Sequence, residues 1–137
     1  MSIFETETRV GYYDTDAMQV VYHANYIKYF ELGRTSFLRE IGYPYKRLEE
    51  MGLMLPIISC KCEFKKPAVY DDLLTIKCWL HELKGARVVV RYEIYHKERT
   101  ELLVTGETEM ATVDRLMRPI NLKRKMPEFY QVLLGTQ

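Results

Sequence analysis

The chain has 137 residues, of which 47% are hydrophobic and 28% charged, a balance typical of one soluble globular domain spanning residues 1–137. Its 20 Lys and Arg residues against 19 Asp and Glu give a formal net charge of +1, so we expect no overall field that attracts nucleic acid or an anionic membrane. No apolar run approaches the length of a bilayer span.

The cysteine content and the N-terminus predict a cytoplasmic protein. Cys60, Cys62 and Cys78 are an odd number of thiols with no C-x-x-C pair, which argues against a disulfide framework or a zinc site. Sequence alternation puts all three on the apolar faces of strands, where a thiol behaves as a small hydrophobic group. The N-terminus also lacks a basic start followed by an apolar stretch.

The first predicted elements are a strand over residues 4–12 and a long helix over residues 24–41. Apolar side chains recur in the helix at spacings of three, four and seven, with charged side chains on the opposite face. Gly42 and Pro44 then end the helix. Glu31 and Arg34 are three residues apart, so they are expected to form an ion pair along its surface.

A short helix over residues 45–51 is followed by a change to a period of two. The predicted strands cover residues 58–65, 74–81, 87–95 and 102–113. Turn-forming residues separate these strands, and because the links are short we expect an antiparallel meander. A further short helix is predicted in the tail, over residues 127–134.

These elements predict an α+β fold. A sheet with one apolar face and a single long amphipathic helix can bury both only if the sheet wraps around the helix. Such a small sheet leaves its edges free, so edge pairing in a dimer is expected.

The segment from Asp14 to Tyr26 carries the strongest indication of chemistry. It places two carboxylates, Asp14 and Asp16, and one imidazole, His23, just before the start of the long helix. The unpaired amides of a helix start can hold a polarised carbonyl oxygen while a nearby carboxylate directs water at the carbon. This combination indicates a hydrolase that uses no metal, and the other two histidines lie far along the chain.

The same segment resembles the motif of hotdog-fold acyl-CoA thioesterases, in the 4-hydroxybenzoyl-CoA thioesterase branch. That motif is D-x-D-x-x-G, two aliphatic residues, an aromatic residue, a variable residue, then x-N-Y leading into the central helix. The resemblance extends over residues 5–120, including Pro67-Ala-Val-Tyr-Asp-Asp-Leu-Leu74. Gln19 stands where the family usually has glycine. The resemblance implies a sheet of about five antiparallel strands wrapped around one helix.

The resemblance also implies roles for particular residues. Asp16 is the catalytic carboxylate, and the backbone N–H of His23 contacts the thioester carbonyl. Tyr22, Asn25 and Tyr26 are expected to bind substrate around the motif. Six basic residues near strand ends could donate to the phosphates of coenzyme A: Lys65, Lys66, Lys84, Arg87, Arg115 and Arg118. Of these, Lys84 and Arg87 are expected to hold the phosphates, because related enzymes bind the nucleotide near the hairpin around Gly85.

The implied activity is hydrolysis of an acyl-CoA thioester to a free acid and CoA, without a cofactor. The implied assembly is a homodimer joined edge to edge, often paired into a homotetramer, with sites shared between subunits. Asp16 could act as a general base or as a nucleophile, and Asp14 is expected to have a structural role in a turn. Glu31 is the rival catalytic acid, because another hotdog branch uses a helical glutamate.

Two alternative functions keep the same fold. The acyl donor could be an acyl carrier protein, recognised through a basic patch. The domain could instead be a module that binds acyl-CoA without hydrolysing it.

Overall fold

The period-two segments form five strands and the amphipathic segments form helices in the computed structural model, which describes all of residues 1–137. The elements in chain order are β1 (Phe4–Arg9), α1 (Asn25–Glu40), α2 (Tyr45–Glu50), β2 (Ile57–Phe64), β3 (Leu73–Lys84), β4 (Arg87–His96), β5 (Glu101–Ala111), α3 (Leu122–Lys125) and α4 (Pro127–Thr136). A single 3-10 turn, Tyr12–Asp14, follows β1.

All the predicted helices and strands are confirmed. Their ends agree with the predicted ends to within three residues, and the short helix α3 is an addition. None of the helices has both the length and the apolar composition needed to cross a membrane.

The five strands lie in the order β1-β3-β4-β5-β2, and every neighbouring pair is antiparallel. The predicted meander is therefore correct for β3 to β5 but wrong for β2, which pairs with β5 instead of β3. The reason lies in the link after β2, which is not a hairpin turn. Its Val69 bridges Val20 and its Ala68 carbonyl accepts from the Val21 N–H, so this link follows the loop before α1.

The helix α1 packs directly onto the sheet at two glycines. A Cβ atom at Gly33 would lie 2.8 Å from the Ile76 side chain, and one at Gly106 would lie 2.1 Å from the Phe30 ring. Phe30 in turn stacks on Tyr92 of β4, with 4.4 Å between the ring centroids. The absence of side chains at these glycines therefore lets helix and sheet approach closely enough to bury the aromatic residues of α1.

The face of β2 is much more open than its sequence predicts. The helix α1 lies mainly over β1 and β3, which leaves Ile57, Ile58 and Phe64 exposed. Cys60 is exposed as well, which corrects its predicted place on a buried face, whereas Cys78 is buried and Cys62 is half-buried. An apolar edge strand of this kind is unusual for a protein surface unless something covers it.

We predict that Gly106→Ala destabilises the fold, because the new methyl group would overlap the Phe30 ring. Overpacking of this kind costs about 1–3 kcal/mol in the free energy of unfolding, which urea denaturation measures. The control is Gly135→Ala in α4, where an added Cβ atom meets nothing within 4 Å. Equal stability of the Gly106→Ala variant and the wild type would contradict the close packing of α1.

Candidate active site

The loop that carries Asp16 is a tight hairpin. Thr15 and Val21 form an antiparallel bridge, and the Asp16 N–H donates to the Val20 carbonyl over 3.0 Å. Gln19 completes the turn with a φ of +66°, in the left-handed region that glycine adopts most readily. Gln19 thus adopts the backbone conformation that the usual glycine of this motif would favour.

One oxygen of the Asp16 carboxylate is held within this hairpin and the other is free. Oδ1 accepts from the Met18 N–H over 2.8 Å, which fixes the orientation of the carboxylate. Oδ2 accepts no hydrogen bond from the chain, although the side chain is half-buried. Asp16 therefore presents one oriented oxygen to its surroundings.

Asp16 lines a cleft of about 330 Å³ between the hairpin, the start of α1 and the end of β2. Its walls consist of apolar and basic side chains together with Asp16 and His23. The lining residues are Asp16, Met18, Val20, Val21, His23, Tyr26, Phe64, Lys65, Lys66 and Pro67. The structure thus brings together three of the predicted site residues: Asp16, His23 and Tyr26.

The backbone at the start of α1 offers unused hydrogen-bond donors beside this cleft. The N–H groups of His23 and Ala24 donate no hydrogen bond within the chain, and no side chain caps the helix start. Because free amides and the positive end of the helix dipole coincide here, a carbonyl oxygen carrying negative charge would be stabilised. The His23 ring packs against Tyr22, with 4.5 Å between the centroids.

Tyr26 forms the apolar floor on the helix side. Its ring contacts Phe64, with 5.6 Å between the centroids, and its side chain is buried. Burial raises the pKa of Tyr26 to about 12, so its hydroxyl stays neutral across the physiological range.

Tyr22 and Asn25 lie beside the cleft rather than in its walls. The Asn25 Nδ2 donates to the Asp14 carbonyl over 2.8 Å, so this amide is engaged in the framework of the loop. The Tyr22 N–H donates to the same carbonyl over 2.9 Å, while its ring remains partly exposed.

Asp14 is buried and makes several framework contacts, in line with its predicted structural role. Its carboxylate accepts from Lys28 Nζ over 2.5 Å, from the Tyr29 hydroxyl over 3.0 Å and from the Gly11 N–H over 3.0 Å. Burial acts to raise the pKa of Asp14, but these three donors outweigh it and hold the pKa below its usual value.

Lys84 and Arg87 line a different cleft, of about 720 Å³, at the far end of the sheet. Arg87 donates to Glu109 over 2.6 Å and lies beside the Ile57 end of β2, whereas the Asp16 cleft lies at the Phe64 end. At the rise of an extended strand these ends are roughly 20 Å apart. A single chain therefore does not bring Lys84 and Arg87 to Asp16.

Lys65 and Lys66, two of the cations that the sequence offers for the phosphates of CoA, line the Asp16 cleft. Both backbone amides donate to the Leu103 carbonyl, and both side chains form surface ion pairs, with Glu63 and Glu101.

The predicted ion pair between Glu31 and Arg34 does not form. Arg34 turns into the core, where its Nε donates to the Tyr45 hydroxyl over 2.7 Å and its Nη1 to the Tyr92 hydroxyl over 3.0 Å. Glu31 is exposed on the helix surface, outside the walls of the Asp16 cleft. No group of three or more His, Cys, Asp or Glu side chains is placed to hold a metal ion.

A five-stranded antiparallel sheet packed around one long helix is the architecture of the hotdog class of α+β proteins. Comparison with known proteins gives the family. The family model described as "Thioesterase-like superfamily" matches residues 10–134. The chain therefore belongs to the thioesterase-like superfamily, which confirms the predicted class of enzyme, a thioesterase. The narrower 4-hydroxybenzoyl-CoA branch stays a prediction.

Individual relatives match along nearly the whole chain. The putative acyl-CoA thioesterase YneP of Bacillus subtilis is 30% identical over 131 residues, covering 95% of this chain and 94% of YneP. The acyl-CoA thioester hydrolase YbgC of Escherichia coli is 33% identical over 132 residues, covering 95% of this chain and 98% of YbgC. The structure of a DHNA-CoA thioesterase from Staphylococcus aureus superposes with a TM-score of 0.93 at 31% identity, covering 98% of this chain and 91% of that one.

We predict that Gln19→Gly stabilises the protein, because glycine adopts a φ of +66° without the steric cost that Gln19 bears. The gain in free energy of unfolding should be up to about 1 kcal/mol, measured by urea denaturation. The reverse control is Gly52→Ala, at a φ of +87° with open space around it, which should lose a similar amount. A loss of stability in Gln19→Gly would contradict the assigned turn.

Proposed function

We propose that this protein hydrolyses an acyl-CoA thioester, releasing a carboxylic acid and CoA. The observation that carries the proposal is that Asp16 and His23 line the same cleft. The Oδ2 of Asp16 accepts no hydrogen bond, and the N–H groups of His23 and the adjacent Ala24 donate none. An oriented carboxylate and unpaired helix-start amides are the two elements that acyl transfer to water requires. The names of YneP and YbgC support the choice of CoA as carrier.

In the proposed reaction the thioester carbonyl oxygen accepts hydrogen bonds from the start of α1. As a general base, Asp16 takes a proton from water while the water oxygen bonds to the carbonyl carbon; the carbon–sulfur bond then breaks and the thiolate takes the proton. As a nucleophile, Asp16 bonds to the carbon, expels the thiolate, and water hydrolyses the resulting anhydride. Single-turnover hydrolysis in oxygen-18 water distinguishes these routes, because only the second can leave label in Asp16.

We further propose that two subunits pair through β2 in an antiparallel arrangement. The two edges of the sheet differ. The exposed side chains of β1 are all charged, Glu5, Glu7 and Arg9, whereas β2 exposes the large apolar side chains of Ile57, Ile58 and Phe64 besides Lys61 and Glu63. Charged residues on an edge oppose strand pairing, and apolar residues favour it. The open backbone groups and apolar side chains of β2 would both be covered by a second copy.

This pairing would make each active site from two chains. Antiparallel β2 strands related by a two-fold axis place the Ile57 end of one beside the Phe64 end of the other. Lys84 and Arg87 of the partner subunit would then approach the cleft of Asp16, where the phosphates of CoA need cations. The roughly 20 Å that separate these residues within one chain would be bridged by assembly.

We predict that Asp16→Asn abolishes hydrolysis, because the neutral amide can neither take a proton from water nor attack the carbonyl. Thiol release from a panel of acyl-CoA substrates should fall by about 10²–10⁴-fold in turnover. The matched control is Asp71→Asn, an exposed loop aspartate at a φ of +71° that asparagine tolerates. Full activity of Asp16→Asn would overturn the assignment, and a wild type that binds acyl-CoA without releasing thiol would refute hydrolysis.

The shared site makes a second prediction, tested by subunit mixing. A chain with Asp16→Asn and a chain with both Lys84→Ala and Arg87→Ala should each be impaired, because each pure dimer lacks one part of both sites. A mixed dimer, purified through two different tags, should regain about half of the wild-type kcat/KM, because one of its two sites is intact. Mixed dimers no more active than the average of the two pure dimers would contradict the antiparallel pairing.

A further inference from the structure

Asp14 is a buried carboxylate that does not line the cleft, yet it binds the chain on both sides of the hairpin and the first turns of α1. Only 4% of the residue is exposed. Its side chain binds Gly11 ahead of the hairpin and Lys28 and Tyr29 in α1. The amount of hydrogen bonding at this one residue far exceeds what a turn needs.

The main chain of Asp14 binds the segment around His23. Its carbonyl accepts from the Tyr22 N–H over 2.9 Å and from Asn25 Nδ2 over 2.8 Å. These two donors flank the free amides of His23 and Ala24. The same residue thus fixes the chain two residues before Asp16 and the chain on both sides of the amide donors.

The donors come from one face of the helix. Asn25, Lys28 and Tyr29 are spaced three and four residues apart, so their side chains point in the same direction from the first turns of α1. Because Asp14 is held by all three, the hairpin cannot shift along or around the helix start without breaking several hydrogen bonds. The separation between the Asp16 carboxylate and the His23 amide is fixed accordingly.

The charge of Lys28 has a specific use at this position. A cation in the first turn of a helix lies near the positive end of the helix dipole and is destabilising there. Lys28 therefore does not stabilise α1 through the dipole. Lys28 neutralises Asp14, and its ammonium also lies over the rings of Tyr13 and Tyr29, 5.5 and 5.6 Å from their centroids. The buried carboxylate can therefore orient the loop without adding a second negative charge beside a developing oxyanion.

We propose that Asp14, with Lys28, is the positioning residue of this active site: it sets the geometry between the Asp16 carboxylate and the His23 amide and contacts no substrate. This inference rests on the proposed function. It goes beyond that function in assigning part of the rate to a residue outside the cleft. A misplacement of about 1 Å in a reacting group can lower turnover about 100-fold.

Steady-state kinetics on the best acyl-CoA substrate test this proposal. Asp14→Asn should lower kcat about 100-fold and leave KM within about threefold, because the walls of the cleft are unchanged. Lys28→Met should lower kcat about tenfold, and Lys28→Arg, which keeps the charge and the donor, should restore most of it. The control is Lys46→Met, an exposed lysine of α2 that makes no hydrogen bond.

A purely structural role predicts a different result. In that case Asp14→Asn would lower the folded fraction, measured by urea denaturation, while the folded protein kept the wild-type kcat. That outcome, or an unchanged kcat in a fully folded variant, would overturn the proposal. If the wild type releases thiol and Asp16→Asn does not, the proposed function holds. An unchanged kcat in Asp14→Asn would then refute only the positioning role of Asp14.

A second measurement needs no turnover. Amide hydrogen exchange over residues 12–26 should be at least about tenfold faster in Asp14→Asn than in the wild type, with the β3–β4 hairpin unchanged. Unchanged exchange at the Tyr22 amide would overturn the proposal, even if no thioester is hydrolysed by the wild type.

Discussion

The close contact between α1 and the sheet is the constraint on which the rest of the structure depends. Gly33 and Gly106 have no side chains at the two places where the helix and the strands would otherwise clash. The aromatic side chains of α1 therefore reach the apolar face of the sheet. That contact fixes the axis of the helix, and the axis fixes where its first amides point. The geometry of the proposed site, at one end of the molecule, thus depends on packing near its middle.

The proposed site depends on backbone groups as much as on side chains. A helix without a capping side chain leaves amide donors unpaired, which in most proteins is a cost met by water or by a neighbouring residue. Here Asp16, on the hairpin before α1, lines the same cleft as His23, and one oxygen of its carboxylate is oriented by the Met18 N–H. An arrangement built from backbone groups can be maintained by many different side chains, provided that the loop keeps its shape.

The sequence was informative wherever the signal was local. The period of α1 and the alternation of the strands depend on near neighbours, and the segment from Asp14 to Tyr26 is continuous, so these features could be predicted from the sequence. The environment of β2 could not be predicted, because alternation identifies the two faces of a strand but does not show which face another element covers. The far position of Lys84 and Arg87 follows from the strand order, which depends on the path of the link after β2. Arg34 was misassigned because spacing on a helix cannot reveal that an aromatic hydroxyl in the core competes for a guanidinium.

That buried guanidinium carries an evolutionary consequence. Arg34 bridges α1, α2 and β4 through two phenol hydroxyls, and the Tyr92 hydroxyl is shared with Thr108, 2.6 Å away. Loss of either phenol would leave a guanidinium N–H without its acceptor inside the protein, whereas joint replacement of the cluster by well-packed apolar residues need cost little. The effects of substitutions within this cluster are therefore epistatic. In related proteins its residues should be replaced together or all be kept.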